Sequence, residues 1–142
     1  MEHETVELAW SNIPFSASVP EKINMAWVDA LSAVGSPGIV SAGEHIIGVT
    51  EKEANKGFLV LSGSYSILKG GGPPMLKQGP ELLGEMSRFN PKHARTAQVR
   101  AETDVAVISF DWDEAFAGLA ECLSEDEINV LNHAFEQYAW EH

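Results

Sequence analysis

Residues 84–103, GEMSRFNPKHARTAQVRAET, gather all three arginines of the chain (Arg88, Arg95 and Arg100) and, with Lys92, four of its nine basic residues. The chain around them is acidic, with a formal net charge of −12 over 142 residues. The stretch is too long for a turn and too polar for a strand. LGEMSRF suits one helical turn, with Gly84 letting the backbone approach closely and the following N–H groups facing outward. A helix start of that kind attracts anions. Arg95 follows, and a guanidinium grips two phosphate oxygens at once. Glu85 accepts hydrogen bonds only, so it suits a sugar hydroxyl beside the phosphate. An arginine for phosphate and a glutamate for hydroxyl together describe a nucleotide.

Working outward, the length suits a single domain with a real core. Hydrophobic residues make up 44% and charged residues 21%, a globular balance and not a disordered one. The five basic residues outside the arginine stretch and its flanks are scattered lysines (22, 52, 56, 69 and 77), which gives no basic stripe for nucleic acid. No apolar run is long enough to insert into a membrane. The start, MEHETVELAW, is acidic and unlike a signal peptide. One cysteine, Cys122, excludes an internal disulfide and fits a cytoplasmic location; in its apolar helical segment it reads as a packing residue.

Secondary-structure signals change twice along the chain. Residues 18–34 read as a helix, with Ser18 and Glu21 at capping-box spacing and Ile23, Trp27, Ala30, Leu31 and Val34 on one face. Gly35 and Pro37 end it. From 38 to 110 the texture is short apolar runs and glycine turns: EHIIGV, GFLVL, SYSIL, AQVRA and VAVISF as strands, SGS and KGGGPP as turns. Then the helical period returns. Ala115, Phe116, Leu119, Ala120 and Leu123 make one stripe, and Ile128, Leu131, Phe135 and Tyr138 another, opened by a second capping box from Ser124 to Glu127.

The stretch resembles the phosphate-binding cassette of cyclic nucleotide-binding domains: Gly-Glu, an apolar and a small residue, a variable loop, then Arg-Ser/Thr/Ala-Ala. Here the pattern is met by Gly84-Glu85-Met86-Ser87 and Arg95-Thr96-Ala97, spaced as in the effector domain of the catabolite activator protein. The likeness extends to SAGEHII (41–47), to GFLVLSGSYSIL (57–68) and to residues 99–116, so it covers about residues 18–142. It implies a mainly β fold, an eight-stranded antiparallel β roll with an N-terminal helix and two C-terminal helices. The expected layout is one domain over 1–142, with a helical segment (1–37), the roll (38–110) carrying the cassette at 82–97, and C-terminal helices (111–142).

By the same resemblance, the ligand is cAMP or cGMP and no other cofactor is implied. Arg95 would pair with the cyclic phosphate and Glu85 would accept from the ribose 2′-hydroxyl. Gly84, Met86, Ser87, Thr96 and Ala97 would complete the cradle. Thr in the position of Thr96 also offers a hydroxyl to guanine. Trp140 aligns with the group that caps the base from the C-terminal helix. Arg88 departs from the family's usual Leu and is read as facing solvent; Pro91 and His93 fall in the variable loop. Arg100 alternates out of an apolar strand and reads as a surface residue.

The bland alternatives place Met86 and Phe89 in the core and leave Arg95 a structural ion pair. The five histidines lack the His-x-His of a metal-binding cupin, so His45 reads as a surface residue and no metal is implied. No nucleophile–base set, P-loop or dinucleotide fingerprint occurs, so no enzyme is expected. The family's transcription factors carry a helix-turn-helix after the long helix; this chain stops at His142 with no room for one, so either a stand-alone domain or a fragment of a longer protein is expected. The expectation is a regulatory domain that signals to an unidentified protein partner by moving its C-terminal helices, with a homodimer through the last helix as one arrangement. The alternative is the same fold without nucleotide sensing, serving as an interaction or structural module.

Overall fold

The computed structural model describes residues 3–47, 56–69, 72–83 and 97–141. Helix α1 (His3–Ser11), a 3-10 turn (Pro14–Ser18) and helix α2 (Glu21–Val34) precede eight strands: β1 (Ser36–Val40), β2 (His45–Ile47), β3 (Lys56–Ser62), β4 (Ser64–Lys69), β5 (Met75–Gln78), β6 (Glu81–Leu83), β7 (Ala97–Ala101) and β8 (Val105–Asp111). Helices α3 (Trp112–Ala120) and α4 (Glu125–Glu141) close the described chain. The strands form two four-stranded sheets, β1-β8-β3-β6 and β2-β7-β4-β5, with every pairing antiparallel. The expected eight-stranded roll with flanking helices is what the chain forms.

Side-chain pattern explains the layering. In β3, Phe58 and Val60 face the interior between the sheets, whereas Leu59 and Leu61 face the helices. In β8, Val105 and Val107 face the interior while Ile108 and Phe110 face the helices. A sheet buried on both faces needs unbroken apolar runs, and GFLVL and VAVISF supply them. The second sheet is covered on one face only. Tyr65 and Ile67 point inward and Val99 and Ala101 join them, while Ser66 and Arg100 alternate outward. At the β3–β4 turn Gly63 holds φ +109°, and a Cβ there would meet the Asp104 carbonyl oxygen at 2.6 Å.

An aromatic knot joins the helices to the first sheet. Trp27, fully buried on α2, has its ring centroid 5.9 Å from Trp10, 5.7 Å from Phe110, 5.8 Å from Trp112 and 5.1 Å from Phe135. One side chain thus fastens α1, α2, β8, α3 and α4. Asn24 seals the α1–α2 corner: its Oδ1 accepts from Trp10 Nε1 at 2.9 Å, and its Nδ2 donates to the carbonyls of Ser16 and Val19.

The second capping box forms as expected, Ser124 N donating to Glu127 Oε1 at 3.0 Å and Glu127 N to Ser124 Oγ at 3.2 Å. The first does not. Pro20 occupies the cap of α2 with no side-chain cap bond, and Ser18 ends the preceding 3-10 turn. Two burial expectations also fail. Ala120 is exposed because α3 stops there, and Cys122 is exposed in the following turn, so its thiol is not a packing group.

Candidate functional site

The strand ends on either side of the cassette belong to different sheets. Leu83 ends β6 in the first sheet, paired with Phe58 at the start of β3; Ala97 begins β7 in the second, paired with Lys69 at the end of β4. The hairpin turn between β3 and β4 lies at the other end of those strands, so Leu83 and Ala97 sit at one common end of the roll. Ile47, the last residue of β2, pairs with Val99 and lies at the same end. The two strand ends between which the cassette sequence falls are thus at one end of the roll, in different sheets.

Of the eight candidate ligand residues, Gly84, Glu85, Met86, Ser87, Arg95 and Thr96 lie outside the described residues, as do Arg88, Phe89 and His93. Ala97 is placed as the first residue of β7, and Trp140 lies within α4 with its side chain outside the described part. What the fold does show are the strands on either side: Phe58 stands opposite Leu83 and Val99 opposite Ile67, all four in the core between the sheets. This end of the roll's interior is therefore apolar among the described residues.

The last helix reaches back to these strands. Leu131, Phe135 and Tyr138 of α4 are buried, and Tyr138 Oη donates to the Leu82 carbonyl at 3.4 Å. Leu82 precedes Gly84 by two residues. Of the two partners expected for Tyr138, the roll or a second copy of the helix, the described structure shows the roll, and its bond to Leu82 was not foreseen. Periodicity marked the buried stripe but carried no signal for its partner.

Below the cassette, Arg100 is engaged. Its Nε and Nη2 donate to Glu102 Oε1 at 3.2 and 3.0 Å, and Ser66 Oγ donates to the same oxygen at 2.7 Å. The Ser66 hydroxyl first, and the Arg100 guanidinium next, hold the Glu102 carboxyl below the usual carboxylate range. Arg100 is a half-exposed residue on the outer face of β7, as read, and is ion-paired there with Glu102. His45 is exposed, as read. Among the described residues no group of three or more His, Cys, Asp or Glu side chains is placed to hold a metal ion, and no helix is long and apolar enough to cross a membrane.

No protein-family profile matches the chain, and no curated protein matches it in sequence. Solved structures match nearly all of it. The second cyclic nucleotide-binding domain of a PKA regulatory subunit, bound to Sp-2Cl-cAMPS, is 16% identical with a TM-score of 0.65, covering 98% of this chain and 90% of that one. The regulatory domain of Toxoplasma gondii PKA in complex with cAMP is 17% identical with a TM-score of 0.72, covering 99% of this chain and 50% of that one. The regulatory subunit of a cAMP-independent protein kinase A from Trypanosoma brucei is 22% identical with a TM-score of 0.64, again covering 99% and 50%. The chain spans half the length of the two parasite chains. All three are regulatory domains or subunits, not catalytic ones. At these identities the likeness is one of architecture, and the chain has the β-roll fold of the cyclic nucleotide-binding domains of protein kinase A regulatory subunits.

Proposed function

We propose that the chain binds a cyclic nucleotide, cAMP or cGMP, in the cassette between β6 and β7, and reports occupancy to a protein partner through α4. One observation carries this reading. The Gly84-Glu85 and Arg95-Thr96-Ala97 pairings abut Leu83 and Ala97, the two strand ends that this fold brings to one end of the roll. Arg95 meets the single negative charge of a cyclic phosphate, Glu85 accepts from the ribose hydroxyl, and backbone N–H groups of Gly84, Met86, Ser87 and Thr96 complete the cradle. The Tyr138–Leu82 bond is a physical route from the cassette's entry strand to α4. The cAMP- and Sp-2Cl-cAMPS-bound neighbours support the ligand class. Calorimetric titration with cAMP, cGMP and an uncyclised nucleotide tests it: one-to-one binding of a cyclic nucleotide, lost in Arg95→Ala, is the expected result.

A second reading, the same fold without nucleotide sensing, is favoured by the Trypanosoma brucei subunit, whose kinase is cAMP-independent. A triple variant of that subunit, one of whose substitutions introduces an arginine, is bound to cAMP in its A site. Here Arg95 is already in the sequence, and that supports the first reading. Absence of any heat of binding with either cyclic nucleotide would establish the second.

A further inference from the structure

Helix α2 uses two faces differently. Ile23, Trp27, Ala30 and Leu31 are buried in the helix-side core, while the opposite face and the turn between α3 and α4 enclose an open groove of about 550 Å³. Its apolar surface comes from Met25, Ala26 and Leu123, and Met25 is 57% exposed. Glu21, Asp29 and Cys122 form its sides.

The charge of this groove is one-sided. Lys22 also lines it, but its Nζ lies 2.8 Å from Glu127 Oε2 and is neutralised there. Asp29 Oδ1 is 2.6 Å from His3 Nε2, so this carboxylate has a histidine partner on α1, which also lies 3.6 Å from Glu7, and Glu21 is the groove's other acidic group. Glu121 and Glu125 flank the turn that carries Cys122 and Leu123, and both are exposed.

We propose that this groove docks a basic amphipathic helix of a protein partner, with an apolar side chain over Met25 and Leu123 and Lys or Arg side chains against Glu21 and Asp29. Charge selects this occupant. A second copy of the chain would set like acidic rims against each other, and an anionic lipid surface would be repelled by them. The inference rests on the reading that the domain reports to a protein, and not on whether the cassette holds nucleotide.

The test uses a short helical peptide of Leu, Ala and Lys, with leucines at i, i+3, i+4 and i+7, and a scrambled isomer of the same composition and charge. Cys122, the chain's single cysteine, provides a local readout through its rate of reaction with a thiol reagent. The patterned peptide should bind at micromolar Kd, slow Cys122 reaction, and bind about 10-fold tighter than its isomer. Met25→Glu and Asp29→Asn should each weaken it, Met25→Glu by about 10-fold, with thermal melts and nucleotide titration matching the parent. Equal binding of the two isomers, an unprotected Cys122, or full affinity in Met25→Glu would overturn the proposal. Peptide binding that survives in Arg95→Ala separates the fate of this groove from that of the cassette.

Discussion

Tyr138 and Leu82 lie 56 residues apart in sequence, yet the tyrosine hydroxyl donates to the leucine's main-chain carbonyl at 3.4 Å. The bond ties the last helix to the strand that enters the cassette. Tyr138→Phe keeps the ring and removes this link, so unfolding should become easier by about 0.5–1.5 kcal/mol, the net worth of one hydrogen bond. The long donor–acceptor distance favours the low end of that range. Urea denaturation measures it; an unchanged midpoint would mean that the ring alone holds α4 in place.

Arg95→Ala should abolish nucleotide binding without altering the fold. Removing one side of a desolvated charge pair costs about 2–5 kcal/mol, on the order of thirty- to several thousand-fold in affinity. Glu85→Gln should weaken binding less, since a neutral amide still accepts from a ribose hydroxyl. Thr96→Ala should shift the cAMP-to-cGMP affinity ratio toward cAMP. Calorimetry on the three variants, with a melt to check folding, decides each.

Trp140 stands two residues beyond Tyr138 in the helix that reaches the cassette's entry strand. If its indole caps the base, Trp140→Ala should cost about 1–3 kcal/mol of binding, the scale of one base–aromatic stack. Its fluorescence should also change on nucleotide addition. Equal affinity in wild type and Trp140→Ala would place the cap elsewhere. Comparison with Tyr138→Phe separates capping from anchoring of the helix.

Glu127 has a depressed carboxyl pKa of about 2, held down chiefly by the Lys22 ammonium and then by the Ser124 backbone N–H. A carboxylate whose folded pKa lies below its unfolded value stabilises the fold fully above the unfolded value and loses that contribution as pH falls through the folded one. The stability gap between wild type and Glu127→Gln should thus be present at neutral pH and shrink between about pH 4.5 and pH 2. The pair is partly open to water, so the neutral-pH gap should also narrow in high salt. Denaturant midpoints across that window check both.

Trp27→Ala should destabilise the protein by about 3–5 kcal/mol, since it empties the centre of five packed elements. Trp27→Phe should cost far less. The indole N–H has no acceptor among the described residues, so the phenyl ring sacrifices volume but no hydrogen bond. Equal losses in the two variants, read by chemical denaturation, would show that the exact ring shape governs the knot.

Local pattern by itself determined much of this protein. The apolar runs GFLVL and VAVISF were legible as strands, and they form β3 and β8, which the fold covers on both faces. Ser124 and Glu127 satisfy each other within one helical turn, so that cap was legible from spacing, whereas the same spacing at Ser18 and Glu21 gave none because Pro20 takes the cap position. Other features depend on what lies across the fold. Strands β1, β5 and β6 are short, and SPGIV, MLKQ and ELL carry no strand period; only pairing with neighbours makes them strands. Cys122 lies in an apolar run yet faces water, because its burial depends on where α3 stops. The Tyr138–Leu82 bond and the five-way packing of Trp27 join residues far apart in sequence, and side-chain periodicity specifies a buried face but never its partner.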